Sequence, residues 1–441
     1  MNRNDRSIVG LTMLAHGMVH TYELSIPIFI PIWLARFDVV SLGPVELAVT
    51  SATLGLLVTV GYGLFGLGAL PGGVLVDRVG SRRLITACLV GMSASFLLLG
   101  LAPGLVAVTL AMVVWGVSAS VYHPAGLALL SKGVEQRGTG FAYHGIAGNL
   151  GIGLGPLVTT VMLLFLDWQT VAAILAAPAL LAALYALRAS FDETAAVEPA
   201  TDGGEGGDAG GTDSKAAAGV GSLSELLAES RVLFTGSFAL VFLVVMLSGL
   251  YYRGVLTFMP ELLGGFSGFE PVALASLLPG GIADVLSVAR DGGRTLSPAN
   301  YVYSGLLMIG VVGQYVGGKL TDRIPVERGI AASFGVLGVL ALLFLPAASL
   351  GLVPFLAFGA VLGVALFVVQ PFYQATVAEY TPAGTRGLSY GYTYLGVFGV
   401  GALGGAIAGA VLTYATPPVL FGVLAVFGFV AAATGLVLAR R

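Results

Sequence analysis

The chain has 441 residues, of which 57% are hydrophobic and 10% are charged. A water-soluble domain carries about 25% charged residues, so ordinary soluble enzymes are excluded, and a net charge of −3 offers no footing for nucleic acid. The 65 glycines follow no Gly-X-Y period, which excludes collagen. In a membrane such residues let helices approach closely. The single cysteine, Cys88, permits neither an internal disulfide nor a cysteine metal site.

Apolar runs of spanning length recur along the chain. The first half reads as spans 1 to 6 at 8–34, 46–72, 84–102, 105–130, 139–166 and 168–188. The second half reads as spans 7 to 12 at 232–258, 301–320, 329–349, 352–378, 388–414 and 416–438. The first run follows Arg3 and Arg6, as in a signal peptide, but it is too long for one and contains His16, His20 and Glu23. It is read as a retained span. The expected fold is an all-α integral membrane protein of 12 transmembrane helices in two pseudo-symmetric six-helix bundles, residues 1–190 and 232–441.

Between the bundles, residues 191–231 read as a cytoplasmic linker. Its 192–221 stretch is acidic and rich in Gly and Ala and is expected to be disordered. Ser222 to Glu225 reads as a capping box that opens a short amphipathic helix. Residues 259–300 form a long outer loop. Its apolar part, 271–289, contains Pro279, Gly280, Gly281 and Asp284 and reads as an interfacial helix. A thirteenth span there would put Arg323 and Arg386 outside. With both termini cytoplasmic, every Lys and Arg except Arg36, Arg253, Arg290 and Arg294 falls on the inner side. That asymmetry places the chain as a multi-pass protein of the cytoplasmic membrane.

The two halves repeat one another. Gly73-Val-Leu-Val-Asp77-Arg78 after span 2 answers Gly318-Lys-Leu-Thr-Asp322-Arg323 after span 8. Val121-Tyr122-His123-Pro124 in span 4 answers Val368-Val369-Gln370-Pro371 in span 10, and Arg137-Gly138 answers Arg386-Gly387. Internal repeats of this kind mark transporters with a site between the halves near mid-membrane.

On these residues the chain resembles the major facilitator superfamily. Gly73, Asp77, Arg78, Gly80 and Arg83 resemble its loop 2–3 signature. Gly148-Asn149-Leu-Gly151-Ile-Gly153-Leu-Gly155-Pro156 is similar to the glycine-proline signature of its drug/proton antiporters. Tyr122 to Gly126, with Arg137-Gly138 and that glycine run, resembles the fosmidomycin-resistance branch of efflux carriers. The second-half loop departs from the pattern, with Ile324-Pro325 where a glycine is expected. The resemblance implies proton-coupled drug efflux by alternating access, with span 1 lining a central cavity.

The loop motifs read as a conformational gate. Asp77 is expected to meet the positive N-terminus of span 11 near Arg386, and Asp322 that of span 5 near Arg137. Both contacts require a closed cytoplasmic side, so they bias the protein toward the outward-facing state. Gly148, Asn149, Gly151, Gly155 and Pro156 read as a close-packing and bending run; in the resembled antiporters this run also limits leak.

Ionisable groups inside a membrane are costly and mark function. His16, His20 and Glu23 share one helical face, and Glu23 is the expected proton carrier. Tyr22-Glu23 aligns with Tyr252-Arg253 of span 7, with Pro31 against Pro260. Glu23 and Arg253 are therefore expected to pair when the outer side closes. His123, His144, Gln370, Tyr373 and Gln374 complete the expected cavity.

No nucleotide-binding or catalytic fingerprint is present, so the chain reads as a non-enzyme without cofactor or metal, with H+ as the coupling ion. Expected partners are the lipid bilayer and a small-molecule substrate, and the chain is expected to act as a monomer. An uptake symporter or facilitator of the same fold is the alternative. A passive channel fits the two-fold repeat less well. An intramembrane metalloenzyme on His16, His20 and Glu23 lacks the usual Glu between the two histidines.

Overall fold

The computed structural model describes residues 1–42, 44–197, 223–234, 236–277, 295–382 and 386–441. Ten of its helices are long and apolar enough to cross a membrane. In the first half these are Arg3–Arg36, Ser81–Gly100, Leu105–Gly133, Arg137–Leu163 and Trp168–Arg188, which are spans 1, 3, 4, 5 and 6. In the second they are Phe238–Gly264, Val326–Ser349, Leu352–Tyr380, Leu388–Tyr414 and Pro417–Leu438, spans 7 and 9 to 12. Span 2 is the bent pair Ser51–Leu67 and Ala69–Val79, angled by 46°. Span 8, Pro298–Thr321, has the length but is more polar. An even number of spans puts both termini on one side, called here the terminal face.

Several boundaries differ from the sequence reading: span 7 runs Phe238–Gly264 instead of 232–258, span 2 ends at Val79 instead of 72, and two further differences have a visible cause. Span 2 starts at Ser51 because Val39–Leu42 and Val45–Ala48 pair as an antiparallel hairpin. Runs rich in valine favour strands, and Thr50 then caps the helix. The stretch expected to be disordered is ordered over 192–197, which pack against the first bundle, and 198–221 lie outside the described residues. Glu193 accepts hydrogen bonds from the Ser81 and Arg82 amides at 2.9 and 3.3 Å, capping span 3. Arg82 in turn donates to the Ala186 and Leu187 carbonyls, both at 2.8 Å, at the end of span 6. Each partner satisfies helix-end groups that would otherwise lack one. The capping box at Ser222 and most of 271–289 lie outside the described residues.

Asp167 caps span 6 by accepting from the Thr170 amide at 2.9 Å, which holds its carboxyl below the usual carboxylate range. Close approach is glycine's contribution where spans cross. A Cβ at Gly151 or Gly155 would run into the backbone of Gly17 or Thr21, so spans 1 and 5 touch main chain to main chain. Spans 2 and 11 do likewise at Gly55, Gly405 and Gly409.

Four hydrogen bonds join the halves away from the terminal face, while Leu70 of span 2 and Gly391 of span 11 also approach on the terminal side. The Ala52 amide donates to Thr413 Oγ1 at 2.8 Å, Thr59 Oγ1 to the Ala402 carbonyl at 2.8 Å, and the Ala406 amide to Thr59 Oγ1 at 3.0 Å. Tyr303 reaches the Leu24 carbonyl at 3.3 Å. These lie in the half of the spans opposite the termini. Toward the terminal face, a Cβ at Gly138, Gly145 or Gly318 would meet nothing within 4 Å.

Candidate functional site

Span 1 supplies the centre of the site. Steps of four and three residues put His16, His20 and Glu23 on one face, and all three are buried. His20 Nδ1 lies 2.5 Å from Glu23 Oε2, and His20 Nε2 lies 3.1 Å from His16 Nε2. His16 Nδ1 donates to the His144 carbonyl at 2.8 Å. The His144 ring stacks on His16 at 3.8 Å between centroids. His123 of span 4 meets both span 1 histidines, with centroids 5.4 and 5.7 Å away. All 4 histidines of the chain thus form one cluster. Gly148 makes the space for it, since a Cβ there would clash with the His16 ring.

Span 7 brings the opposite charge. Arg253 forms an ion pair with Glu23 Oε1, with side chains 3% and 1% exposed. The guanidinium carbon sits 3.8 Å from the Tyr62 ring centroid, a cation–π contact that strengthens on desolvation. The Tyr62 hydroxyl donates to the Glu23 carbonyl at 2.5 Å. A lone charge at this depth would be expensive, and the pair neutralises both. It joins the two halves between the cavity and the closed side.

On the terminal side of this pair lies a cavity of about 660 Å³. Of the residues expected there, Glu23, His16, His20, Arg253, His123, His144, Tyr252, Gln370, Tyr373 and Gln374 line it, as do Gly148 and Asn149. Tyr22 does not. Its hydroxyl donates to the Leu175 carbonyl of span 6 at 2.6 Å and its ring stacks on Phe96, inside the first bundle. A residue next to a cavity residue on a helix points about 100° away from it, which is why the pair Tyr22-Glu23 divides between core and cavity.

Several members were not apparent from sequence. Tyr62 carries no charge and no motif. Gln314, Thr393, Tyr394 and Phe398 line the cavity from spans 8 and 11, and Tyr394 packs on His123 at 4.7 Å. A π-helical turn at Leu395–Val400 follows Tyr394, and such turns cluster at functional sites.

The residues of the expected gate are at the terminal face. Asp77 pairs with Lys132 of span 4 at 3.2 Å, both partly exposed. Asp322, Arg78, Arg83 and Arg323 are exposed. The amides at the start of span 5 are met by Asp5 of span 1, which accepts from Glu135 and Gln136 at 3.1 and 3.3 Å. Gly80 adopts φ +90, a turn that suits glycine and starts span 3. The anchored arginine of the loop is Arg82, not Arg83. A Cβ at Gly73 or Gly318 would meet nothing, so neither glycine packs against a partner in this state.

The Major Facilitator Superfamily profile matches residues 11–290 and 285–441. Among solved structures, a point mutant of the nucleoside transporter NupG is similar, with a TM-score of 0.71 and 13% identity over 99% of each chain. A bacterial homologue of the human lysosomal transporter Spinster, described as inward-facing and occupied, gives 0.69 and 13% identity over 100% of this chain and 98% of that one. No curated protein matches in sequence.

Proposed function

We propose that this chain, which belongs to the Major Facilitator Superfamily, is a secondary active transporter that exports a small molecule in exchange for protons by alternating access. The observation that carries the reading is the buried Glu23–Arg253 pair, which links the halves at the closed end of the cavity. It is a two-state element. Formed, it closes the side opposite the termini; parted, it leaves two charges that need a substrate, a proton or water.

The terminal face is the cytoplasmic one in this reading, from the distribution of Lys and Arg. The cavity then loads from the cytoplasm and accepts a molecule of drug-like size. Glu23 takes the coupling proton once Arg253 leaves it, and the histidines beside it pass the proton toward the cavity. Asp77 gates the opposite state: its contact with Lys132 gives way to the span 11 N-terminus when the cytoplasmic side closes.

Uptake is the second reading, favoured by the same cavity, because an open terminal face serves release as well as loading. One experiment separates them. Purified protein in liposomes is given a pH gradient, and efflux-deficient cells carrying the chain or Glu23→Gln are challenged with toxic compounds, phosphonates included. Protection by the native chain alone, with gradient-driven exchange in liposomes, supports export. Sensitisation of the cells, or gradient-driven accumulation with the proton, replaces export by uptake.

A further inference from the structure

The histidine cluster holds a second chemistry. A carbonyl oxygen only accepts, so His16 Nδ1 carries its hydrogen toward His144 and leaves Nε2 as a lone pair. Glu23 is engaged on its other oxygen by Arg253, which keeps it a carboxylate, so His20 Nδ1 also carries a hydrogen. His20 Nε2 is then a lone pair too, unless it holds an extra proton. Two lone pairs 3.1 Å apart repel, and only a cation between them makes the contact favourable.

A third nitrogen comes from span 4. One ligand atom each from His16, His20 and His123 lies within 4.8 Å of the others. Zn²⁺–N bonds of about 2.0–2.1 Å put tetrahedral ligands roughly 3.3 Å apart. The first pair already has that spacing, and His123 closes the remainder by a side-chain shift. The outer shell is of the kind that metal-binding histidines use, a backbone carbonyl on one ring and a carboxylate on the other. A fourth position faces the cavity. One further buried ring nitrogen is at hand: His144 Nε2 has no hydrogen-bond partner.

We propose that His16, His20 and His123 bind one divalent transition-metal ion of the zinc class, with His144 and Glu23 as positioning residues and solvent as the fourth ligand. The His16–His20 spacing alone is common by chance; the fold adds the third ligand from another helix. The site does not depend on the coupling reading above, since binding requires no turnover. It does interact with the latch. A divalent charge at His20 competes with Arg253 for Glu23, so loading the site weakens the pair that closes the opposite side.

The test uses full-length protein in detergent or nanodiscs, stripped with chelator and titrated with Co²⁺, then competed with Zn²⁺. The expected result is one ion per chain with the intense visible bands of a four-coordinate nitrogen site. His16→Gln and His123→Asn each weaken binding by more than about tenfold, with unchanged gel-filtration profile and helix content. Arg253→Gln binds more tightly and gains a larger metal-induced rise in Tm. Undiminished binding in both histidine variants, weak bands of six-oxygen coordination, or no binding at all overturns the proposal and leaves a proton as the cation between His16 and His20. Proton-driven transport measured on the same samples fails or succeeds separately.

Discussion

The two halves share a scaffold and differ in chemistry. Both carry the Gly-x-x-x-Asp-Arg loop and a proline in the fourth helix, which interrupts span 4 but leaves span 10 continuous. Yet the first half holds every histidine and Glu23, while the second contributes Arg253, glutamines and tyrosines to the same cavity. His123 faces the cavity where the repeat has Gln370, and Glu23 where it has Arg253. The loops diverge as well. Gly80 turns with φ +90 and Glu193 caps span 3, whereas Pro325 starts span 9 with no side-chain cap. The shared part suits two bodies that rock against one another. The unshared part gives the interface between them a sign of charge on each side, so that closing it has an electrostatic consequence.

That contrast is open to attack at the latch first. Glu23→Gln leaves Arg253 buried and unpaired, which costs about 3–5 kcal/mol. Thermal unfolding of the purified protein should fall accordingly, and Glu23→Gln with Arg253→Gln should recover part of the loss. Additive effects in that double-mutant cycle would mean that the halves do not communicate here.

Packing at the cluster comes next. Gly148→Ala drives a methyl into the His16 ring, with an expected cost of about 1–3 kcal/mol and loss of transport. The corresponding Gly145→Ala, whose methyl would meet nothing, should leave stability unchanged. Equal effects at the two glycines would assign the run to general helix packing.

Capping differences are smaller. Glu193→Ala removes the acceptor for two amides of span 3 and should lower stability by about 1 kcal/mol. Among the described residues no capping residue of the second half matches it, so the loss should appear as earlier unfolding of the first bundle in hydrogen exchange. Uniform change across both bundles would count against a local cap.

The smallest stability effect is expected at Asp77. Its pair with Lys132 is partly exposed and is worth about 0–1 kcal/mol. Asp77→Asn should therefore fold and express normally while losing most transport, because its contribution belongs to the other conformation. Normal turnover in that variant would remove Asp77 from the gate.

Much of this was legible in the chain. Spans follow from apolar length, since a bilayer offers backbone groups no partner except a helix. The face shared by His16, His20 and Glu23 follows from helical period, and the Glu23–Arg253 pairing follows from aligning the repeat. The missed aromatic members share a reason. Tyr62, Tyr394 and Phe398 are uncharged aromatics in a sequence with 16 Tyr and 23 Phe, and their role comes only from what lies opposite. Asp5 and Glu193 act on amides 130 and 112 residues away, a distance that local pattern does not span.

The sequence by itself determined the membrane class, the twofold repeat and the cost of each buried charge, because hydropathy and helical period are local properties. Only the tertiary structure decided which side is closed, that four histidines from three spans meet, and that Tyr22 turns to the core while Glu23 turns to the cavity. Those outcomes depend on how whole helices pack, and packing is set by contacts between residues far apart in the chain.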